Sequence, residues 1–100
     1  MKEIRETETY KKWFAALNDT RAKTRINIRV KRLAINNPGD VKPAGEGISE
    51  MRVDYGPGYR VYFKDTVKEI IILLCGGDKK TQDNDINKAK ELWKNLEVKT

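Results

Sequence analysis

The segment from Gly45 to Gln82 constrains the fold more than any other part of the chain. It contains two runs in which apolar and polar residues alternate, Ile48 to Tyr55 and Tyr59 to Lys64. Alternation with a period of two is typical of strands that are buried on one face. The runs are separated by Gly56-Pro57-Gly58, which we interpret as a short hairpin loop. This part of the chain therefore predicts a pair of antiparallel strands.

A third run, Val67 to Cys75, follows a turn at Asp65-Thr66 and is apolar on both faces. A strand with two apolar faces is typical of the interior of a sheet, so we expect this one to lie centrally. The loop from Gly76 to Gln82 then leads into a C-terminal helix that runs to about Leu96. The apolar face of that helix consists of Ile86, Ala89, Trp93 and Leu96.

Two helices and a short strand are predicted before the hairpin. Residues Glu3 to Thr7 alternate and indicate an edge strand, and Thr9 is a suitable N-cap for the helix that follows. That first helix ends near Asn18-Asp19-Thr20, and a second runs from the cap Thr20 to about Ile35. Helical spacing gives the first helix an aromatic stripe that we expect in the core: Tyr10, Trp13, Phe14 and Leu17.

The second helix carries more than one kind of surface. Its main apolar face consists of Ala22, Ile26, Val30 and Leu33. Arg21, Arg25 and Arg32 form a stripe beside that face, and Ile28 and Ile35 form a second, narrower apolar stripe. We expect the first helix to cover one apolar stripe and the sheet to cover the other; a partner protein is the alternative. The arginines are either a solvated face or contacts to a phosphate backbone.

The stretch from Asn36 to Gly47 is rich in proline and glycine and is predicted to be a connecting loop within one domain. The chain then has the order strand, two helices, three antiparallel strands and a helix. This order predicts an α+β fold in a single domain over residues 1–100. Two N-terminal helices and a C-terminal helix would pack on a small, mainly antiparallel sheet.

Composition excludes several kinds of chemistry. The chain has no histidine and a single cysteine, Cys75, which excludes zinc sites of the Cys/His kind, triads that depend on histidine and any internal disulfide. We expect no metal and no cofactor, and a buried thiol at Cys75. A net charge of +6 favours a polyanionic partner such as RNA, DNA or an acidic protein, with solubility as the alternative. Neither a signal peptide nor a long apolar run is present, so we expect a cytoplasmic protein without membrane contact.

The hairpin predicts a polar face on which charges gather. If Gly56-Pro57-Gly58 pairs Tyr55 with Tyr59, the charged and polar residues of the two strands all point to one face. The cross-strand pairs in this register are Asp54 with Arg60, Arg52 with Tyr62, and Glu50 with Lys64. On an exposed face such ion pairs contribute about 0 to 1 kcal/mol, which is a weak reason for a small sheet to gather charges there.

A functional interpretation of the same face includes the loop after the third strand. That loop returns Lys79 and Lys80 to one end of the sheet, where they can approach Arg52, Arg60 and Tyr62. Converging arginine and lysine side chains suit a scissile phosphate, because positioned cations stabilise the charge that builds in the transition state. With RNA as substrate its own 2′-OH could attack. The candidates for proton transfer are Lys79, Lys80, Tyr62, Tyr55, Asp54, Glu50 and Asp78.

Nearly the whole chain resembles toxins of the RelE/ParE superfamily, in the branch called HigB-like or addiction module killer proteins. The residues that carry the resemblance are Trp13 to Leu17 with Asp19, Arg29 to Leu33, Asn37 to Pro43, Gly45 to Gly47 with Glu50 to Arg52, Tyr55 to Phe63, Leu73 to Lys79, Thr81-Gln82 and Asp85-Ile86. The resemblance implies a microbial-RNase-type fold with two N-terminal helices on a curved antiparallel sheet. It also implies a toxin that cleaves mRNA on the ribosome and is neutralised by a HigA-like helix-turn-helix antitoxin, through which alone it reaches operator DNA.

The resemblance also assigns residues. RelE-like enzymes place an arginine on the strand matched by Gly-Tyr-Arg-Val-Tyr, which makes Arg60 the principal catalytic candidate, and a second basic residue after the last strand, matched by Lys79 or Lys80. Arg52 and Tyr62 complete the predicted catalytic group. The predicted contacts to RNA or the ribosome are Arg21, Arg25, Arg32, Lys64 and Gln82. Such toxins also use a tyrosine near the C-terminus, and this chain has none after Tyr62, so the resemblance assigns no general base.

Two other functions remain open from the sequence. The ParE side of the superfamily shares the fold without RNase activity, which suggests a non-enzymatic inhibitor of DNA gyrase. A basic nucleic-acid-binding module is the other alternative, and its binding would depend on salt through Arg21, Arg25 and Arg32.

Overall fold

The structure is a computed structural model that describes the backbone of residues 1–99 and the side chains of residues 1–96. Over those residues the chain forms three helices and five strands in an α+β arrangement, as the sequence predicted. In chain order the elements are β1 (Glu3–Glu6), α1 (Glu8–Ala16), α2 (Thr20–Ala34), β2 (Val41–Gly45), β3 (Ile48–Val53), β4 (Tyr59–Asp65), β5 (Ile70–Gly77) and α3 (Gln82–Lys99). None of the helices within this described part is long and apolar enough to cross a membrane.

The strands form one sheet in the order β1-β5-β4-β3-β2. Neighbouring strands are antiparallel except for β1, which runs parallel to β5. The run that was expected to lie centrally, β5, is an interior strand with a neighbour on each side, but the middle strand is β4. Strand β5 begins only at Ile70, so the prediction that it starts at Val67 is wrong. Val67 is fully exposed in a turn that Thr66 closes. The N–H and the hydroxyl of Thr66 donate to the Ile70 carbonyl at 2.9 Å and 2.8 Å, and Thr66 Oγ1 accepts from the Lys68 N–H at 3.3 Å.

Strand β2 lies inside the segment that we predicted to be a loop. It pairs with β3, with Val41 opposite Met51 and Pro43 opposite Ser49. Strand β2 is at the edge of the sheet and forms hydrogen bonds with a neighbour on one side only. A proline, which has no N–H group to donate, is tolerated in such a strand. Glu46 and Gly47 both have positive φ and form the tight connection to β3.

The hairpin register differs from the predicted one by two residues. Val53 pairs with Tyr59, so the connection from β3 to β4 is longer than Gly56-Pro57-Gly58 alone. Inside it the Tyr55 N–H donates to the Val53 carbonyl at 2.9 Å and the Gly58 N–H to the Tyr55 carbonyl at 3.1 Å. A shift of two residues changes every cross-strand partner but keeps each side chain on its predicted face. The actual pairs are Arg52 with Arg60, Glu50 with Tyr62, and Ser49 with Phe63.

Both N-terminal helices begin at caps other than those predicted. Thr7, and not Thr9, caps α1: its Oγ1 accepts from the Tyr10 N–H at 3.0 Å and donates to the Leu74 carbonyl at 2.6 Å. Asp19, and not Thr20, caps α2 by accepting from the Arg21 and Ala22 N–H groups. The N-cap is the residue whose side-chain oxygen accepts hydrogen bonds from the first free N–H groups of the helix.

The sheet has an apolar cluster on each face. The cluster under α1 and α2 includes Tyr10, Ile26, Leu33, Met51, Val53, Val61, Phe63, Ile71 and Leu73, with the rest of the aromatic stripe of α1 packed against it. The cluster under α3 consists of Ile48, Tyr62, Leu74, Cys75 and Ala89, with Trp93 and Leu96 beside it. The register of β4 and β5 passes from Phe63–Leu73 to Tyr62–Cys75, so Leu74 is an extra residue in the ladder. This bulge lets Leu74 and Cys75 both contribute to the cluster under α3.

The narrow apolar stripe of α2 is not covered in the way that we expected. Ile28 is 52% exposed and Ile35 is 59% exposed, whereas Ala22 and Ile26 on the opposite side of the helix are fully buried. Neither α1 nor the sheet packs on this stripe. The prediction that both apolar stripes of α2 are used inside the domain is therefore wrong.

Candidate active site

The candidate site is built around a buried carboxylate, Glu50, on the face of the sheet that α3 covers. Only 3% of Glu50 and 8% of Arg60 is exposed. Strands β3 and β4 bring these residues together, because Glu50 pairs with Tyr62 and Arg52 pairs with Arg60. We had expected an exposed polar face with cross-strand ion pairs, and the structure shows a mostly buried network instead.

Three side chains from three elements donate hydrogen bonds to Glu50. Arg52 Nε donates to Oε1 at 2.9 Å. Tyr62 Oη and Gln82 Nε2 donate to Oε2 at 3.1 Å and 2.8 Å. Because Gln82 is the first residue of α3, this network joins the start of that helix to the sheet. A buried carboxylate needs such partners, since it loses its hydration on folding.

The network keeps Glu50 ionised. Burial by itself would raise the pKa of the Glu50 carboxyl, but the hydrogen bonds from Arg52, Gln82 and Tyr62 stabilise the charged form and lower the pKa below its ordinary value. Tyr62 is affected in the opposite direction: burial, the charge of Glu50 and the hydrogen bond to it raise the pKa of the phenol. Tyr62 is fully buried, and this position argues against proton transfer between its hydroxyl and a substrate.

Arg60 is held from two sides. Its Nη1 donates to the Gly58 carbonyl at 2.9 Å, and its Nε lies 3.5 Å from Glu50 Oε2. The Nε atom is buried and makes no hydrogen bond to any of the described residues. The predicted pairing of Arg60 with Asp54 does not occur, because Asp54 lies in the hairpin connection, where it is exposed.

The structure separates the two candidate lysines. A Cβ atom built on Gly58 would lie 3.4 Å from Arg60 Nη1 and 3.6 Å from Lys79 Cβ, so Lys79 and the Arg60 guanidinium approach the same glycine. Lys80 contributes its backbone N–H to the Asp78 carboxylate at 2.9 Å, in the turn that precedes α3. Both lysine side chains are exposed. Of the two, Lys79 is the residue that the structure places beside Arg60.

Most of the predicted RNA-binding residues lie away from this group. Arg21, Arg25 and Arg32 are on α2, which packs on the other face of the sheet. Lys64 donates to the Gly47 carbonyl at 3.2 Å and its Nζ lies 5.6 Å from the centre of the Trp93 ring. Gln82 is next to the group, but its side chain is engaged by Glu50.

Sequence reasoning missed the role of Arg29. From α2 its Nη1 donates to the Arg52 carbonyl at 2.5 Å, and its Nη2 donates to the carbonyls of Pro38 at 3.0 Å and Asp40 at 3.3 Å. Arg29 thereby ties α2 to the strand that carries Glu50. The signal was available in the helical spacing, because Arg29 follows the buried Ala22 by seven residues and so lies on the same side of the helix.

A cleft of about 560 Å³ adjoins the group between α1 and the start of α3. Its lining includes Lys12, Trp13, Gly77, Thr81 and Lys88. Gly77 pairs with Arg60 across the sheet, so the cleft begins next to the network. Among the described residues, no group of three or more cysteine or acidic side chains is arranged to hold a metal ion.

The chain is 50% identical over 94 residues to an uncharacterized protein of Haemophilus influenzae. The match covers 94% of this chain and 95% of that protein, so the two belong to the same protein family. A comparison with models of known protein families gave no match.

Proposed function

We propose that this chain is the toxin of a type II toxin-antitoxin system, a HigB-like member of the RelE/ParE superfamily that acts in the cytoplasm. In this proposal it is a metal-independent endoribonuclease that cleaves mRNA on the ribosome, and a HigA-like helix-turn-helix antitoxin neutralises it. The resemblance of nearly the whole chain to such toxins supports the proposal. The positive charges grouped in the candidate site add a chemical reason to propose cleavage of RNA.

The observation that carries the proposal is the grouping of Arg52, Arg60 and Lys79 at one end of the sheet. Within this group three cations outnumber one ionised carboxylate, Glu50, while the carboxylates of Asp40 and Asp85 lie close enough to act on Arg52 and Tyr62. Arg52 keeps a third of its side chain exposed, and Lys79 is exposed at the rim. A phosphate would meet these two first, while Arg60 adds positive charge from beneath. Cations that are already in place stabilise a developing negative charge without further reorganisation.

The proposed reaction needs no nucleophile from the protein. The 2′-OH of the RNA loses its proton to solvent water as its oxygen attacks the neighbouring phosphorus. The bond from phosphorus to the 5′ oxygen breaks, the 5′ oxygen takes up a proton, and a 2′,3′-cyclic phosphate and a free 5′ hydroxyl result. Both lysines are exposed, but Lys79 is the one beside Gly58 and Arg60, and we assign it the protonation of the leaving 5′ oxygen. Tyr62, which is buried and bound to Glu50, has no such role in the proposal.

Primer extension on mRNA in a translating extract tests the activity. We expect codon-spaced cleavage by the wild-type chain and at least a ~100-fold loss with Arg60→Ala and Lys79→Ala combined. Lys68→Ala with Lys94→Ala is the matched control, because it removes two positive charges from exposed positions away from the site. Since Arg60 is buried, Arg52→Ala with Lys79→Ala provides a second test, and thermal unfolding of each variant reports whether it folds.

The outcomes distinguish the proposal from its alternatives. If both site variants cleave mRNA at the wild-type rate, the assignment of Arg52, Arg60 and Lys79 to the active site is wrong. Intact mRNA together with inhibited DNA supercoiling would favour a gyrase inhibitor like those of the ParE side. Growth arrest on expression, relieved when the adjacent gene for a helix-turn-helix protein is expressed with it, is the result expected in cells.

A further inference from the structure

The outward face of α2 presents apolar residues to solvent. Ile28 and Ile35 are each more than half exposed, and among the described side chains they are two of four large hydrophobic residues in this state. The other two, Met1 and Val67, lie at the N-terminus and in the turn between β4 and β5. Ile28 is on α2 and Ile35 is the C-cap residue directly after it, so these two of the four can share a surface.

Helix geometry places the two isoleucines on one line. They are seven residues apart, about two helical turns or ~10 Å along the axis. They project from the side opposite Ala22, Ile26 and Leu33, which face the sheet. We call the surface formed by Ile28, Ile35 and their exposed neighbours Thr24 and Lys31 the outer face of α2.

The charges around this face have a single sign. No aspartate or glutamate occurs between Asp19 and Asp40, and α2 itself carries six basic residues: Arg21, Lys23, Arg25, Arg29, Lys31 and Arg32. Arg29 is engaged by backbone carbonyls, and the Arg25 guanidinium lies over the Tyr55 ring at 4.7 Å. Lys23 faces α1, where its Nζ donates to the Ala15 carbonyl and lies 5.5 Å from the centre of the Phe14 ring. The remaining three, Arg21, Lys31 and Arg32, border the isoleucines.

We propose that the outer face of α2 docks an acidic amphipathic helix of a partner protein. An apolar stripe with a seven-residue spacing matches the repeat of a second helix packed alongside, and the bordering cations match glutamate or aspartate on its flanks. A second copy of this chain fits poorly, because two such faces would bring like charges together. RNA would satisfy the arginines but would leave both isoleucines in water. The proposal does not depend on the nuclease activity proposed above.

The probe for this test is a synthetic helical peptide with leucine at seven-residue spacing and glutamate on both flanks. Fluorescence anisotropy with the full chain measures its affinity, and a scrambled peptide of the same composition separates shape from charge. We expect Ile28→Ser and Ile35→Ser each to weaken binding of the designed peptide by about 5-fold to 10-fold. Val67→Ser is the matched control, because it removes a fully exposed apolar side chain elsewhere and should change the affinity less than ~2-fold.

Three results would overturn the proposal. The first is binding of the designed and scrambled peptides with equal affinity, which would show that the face attracts acidic peptides through charge alone. The second is an RNA duplex that displaces the bound peptide and whose own binding is weakened by Arg21→Ala or Arg32→Ala but not by Ile28→Ser, which would assign the face to nucleic acid. The third is a dimer of the free chain in sedimentation that Ile28→Ser dissociates. The substitutions lie on an exposed helix face, so circular dichroism should show unchanged folding.

Discussion

Glu50 Oε2 and Arg60 Nε lie 3.5 Å apart on adjacent strands, with 4% and 9% of the two side chains exposed. A buried ion pair contributes little net stability when it forms, because both charges lose their hydration. Removing one partner is much more costly, since the other charge then stays buried without compensation. The pair therefore makes the domain sensitive to any change at Glu50.

Glu50→Gln should lower the free energy of unfolding by about 3 kcal/mol at neutral pH, because Arg52 and Arg60 lose their shared anion. Urea unfolding followed by fluorescence measures this. Glu46→Gln is the control: Glu46 pairs with Lys90 at the surface, 3.4 Å away, and its loss should cost less than ~1 kcal/mol.

The same variant should change the dependence of stability on pH. The pKa of Glu50 is lowered in the folded state, so its contribution is fully present above the ordinary pKa of 4.5 and is lost as the pH falls through the lowered value. The difference in stability between wild type and Glu50→Gln should therefore shrink as the pH drops below 4.5. A difference that stays constant over this range would contradict an ionised, stabilised carboxylate at this position.

Arg29→Met should destabilise the domain by about 2 kcal/mol, because the Arg52 carbonyl loses a part-buried charged donor while the apolar part of the side chain is kept. Thermal unfolding measures the effect. Arg21→Met is the matched control from the same helix, and we expect a change within ~0.5 kcal/mol because Arg21 is exposed. Equal effects of the two substitutions would show that Arg29 acts only through its charge.

The sequence predicted the elements of this fold better than it predicted their partners. Alternation with a period of two assigned Arg52, Arg60 and Tyr62 to one face, and that assignment survives a register error of two residues. The register itself depends on the length of the hairpin connection, which the Gly-Pro-Gly motif does not determine. Strand β2 was missed because Pro43 is compatible with a strand only at a sheet edge, and edge position is a property of the whole sheet.

Burial of the site was the feature least accessible from sequence. Glu50, Arg60 and Tyr62 have the polar groups of an exposed face, so the pattern indicated a solvated surface. The hydrogen bonds to Glu50 are completed by Gln82, which is 32 residues further along the chain than Glu50. No local pattern links residues at that separation, and only the packing of α3 on the sheet brings them together.

Gly76→Ala should destabilise the domain by about 1 to 3 kcal/mol, because the added Cβ would clash with the Trp13 ring. Denaturant unfolding of the single variants and of their combination tests the cause. Trp13→Leu alone should also destabilise, since it removes packing from the core. In the double variant the cost of Gly76→Ala should become smaller, and strictly additive effects would mean that the clash with Trp13 is not the cause.

Lys79 and Lys80 are adjacent in sequence and equally plausible as the second basic residue of the proposed nuclease, but they differ in position. Lys79 lies beside Gly58 and the Arg60 guanidinium, whereas the turn that Asp78 caps engages the backbone of Lys80. If the proposed function holds, Lys79→Ala should slow single-turnover cleavage of mRNA on the ribosome by about 100-fold, the usual cost of a lost charge-stabilising donor. Lys80→Ala removes the same charge one residue away and should slow it less than ~3-fold, because in the proposed site Lys80 does not contact the phosphate and its more distant charge is screened by salt. The reverse order of the two effects would place the phosphate on the Lys80 side of the turn, away from Arg60.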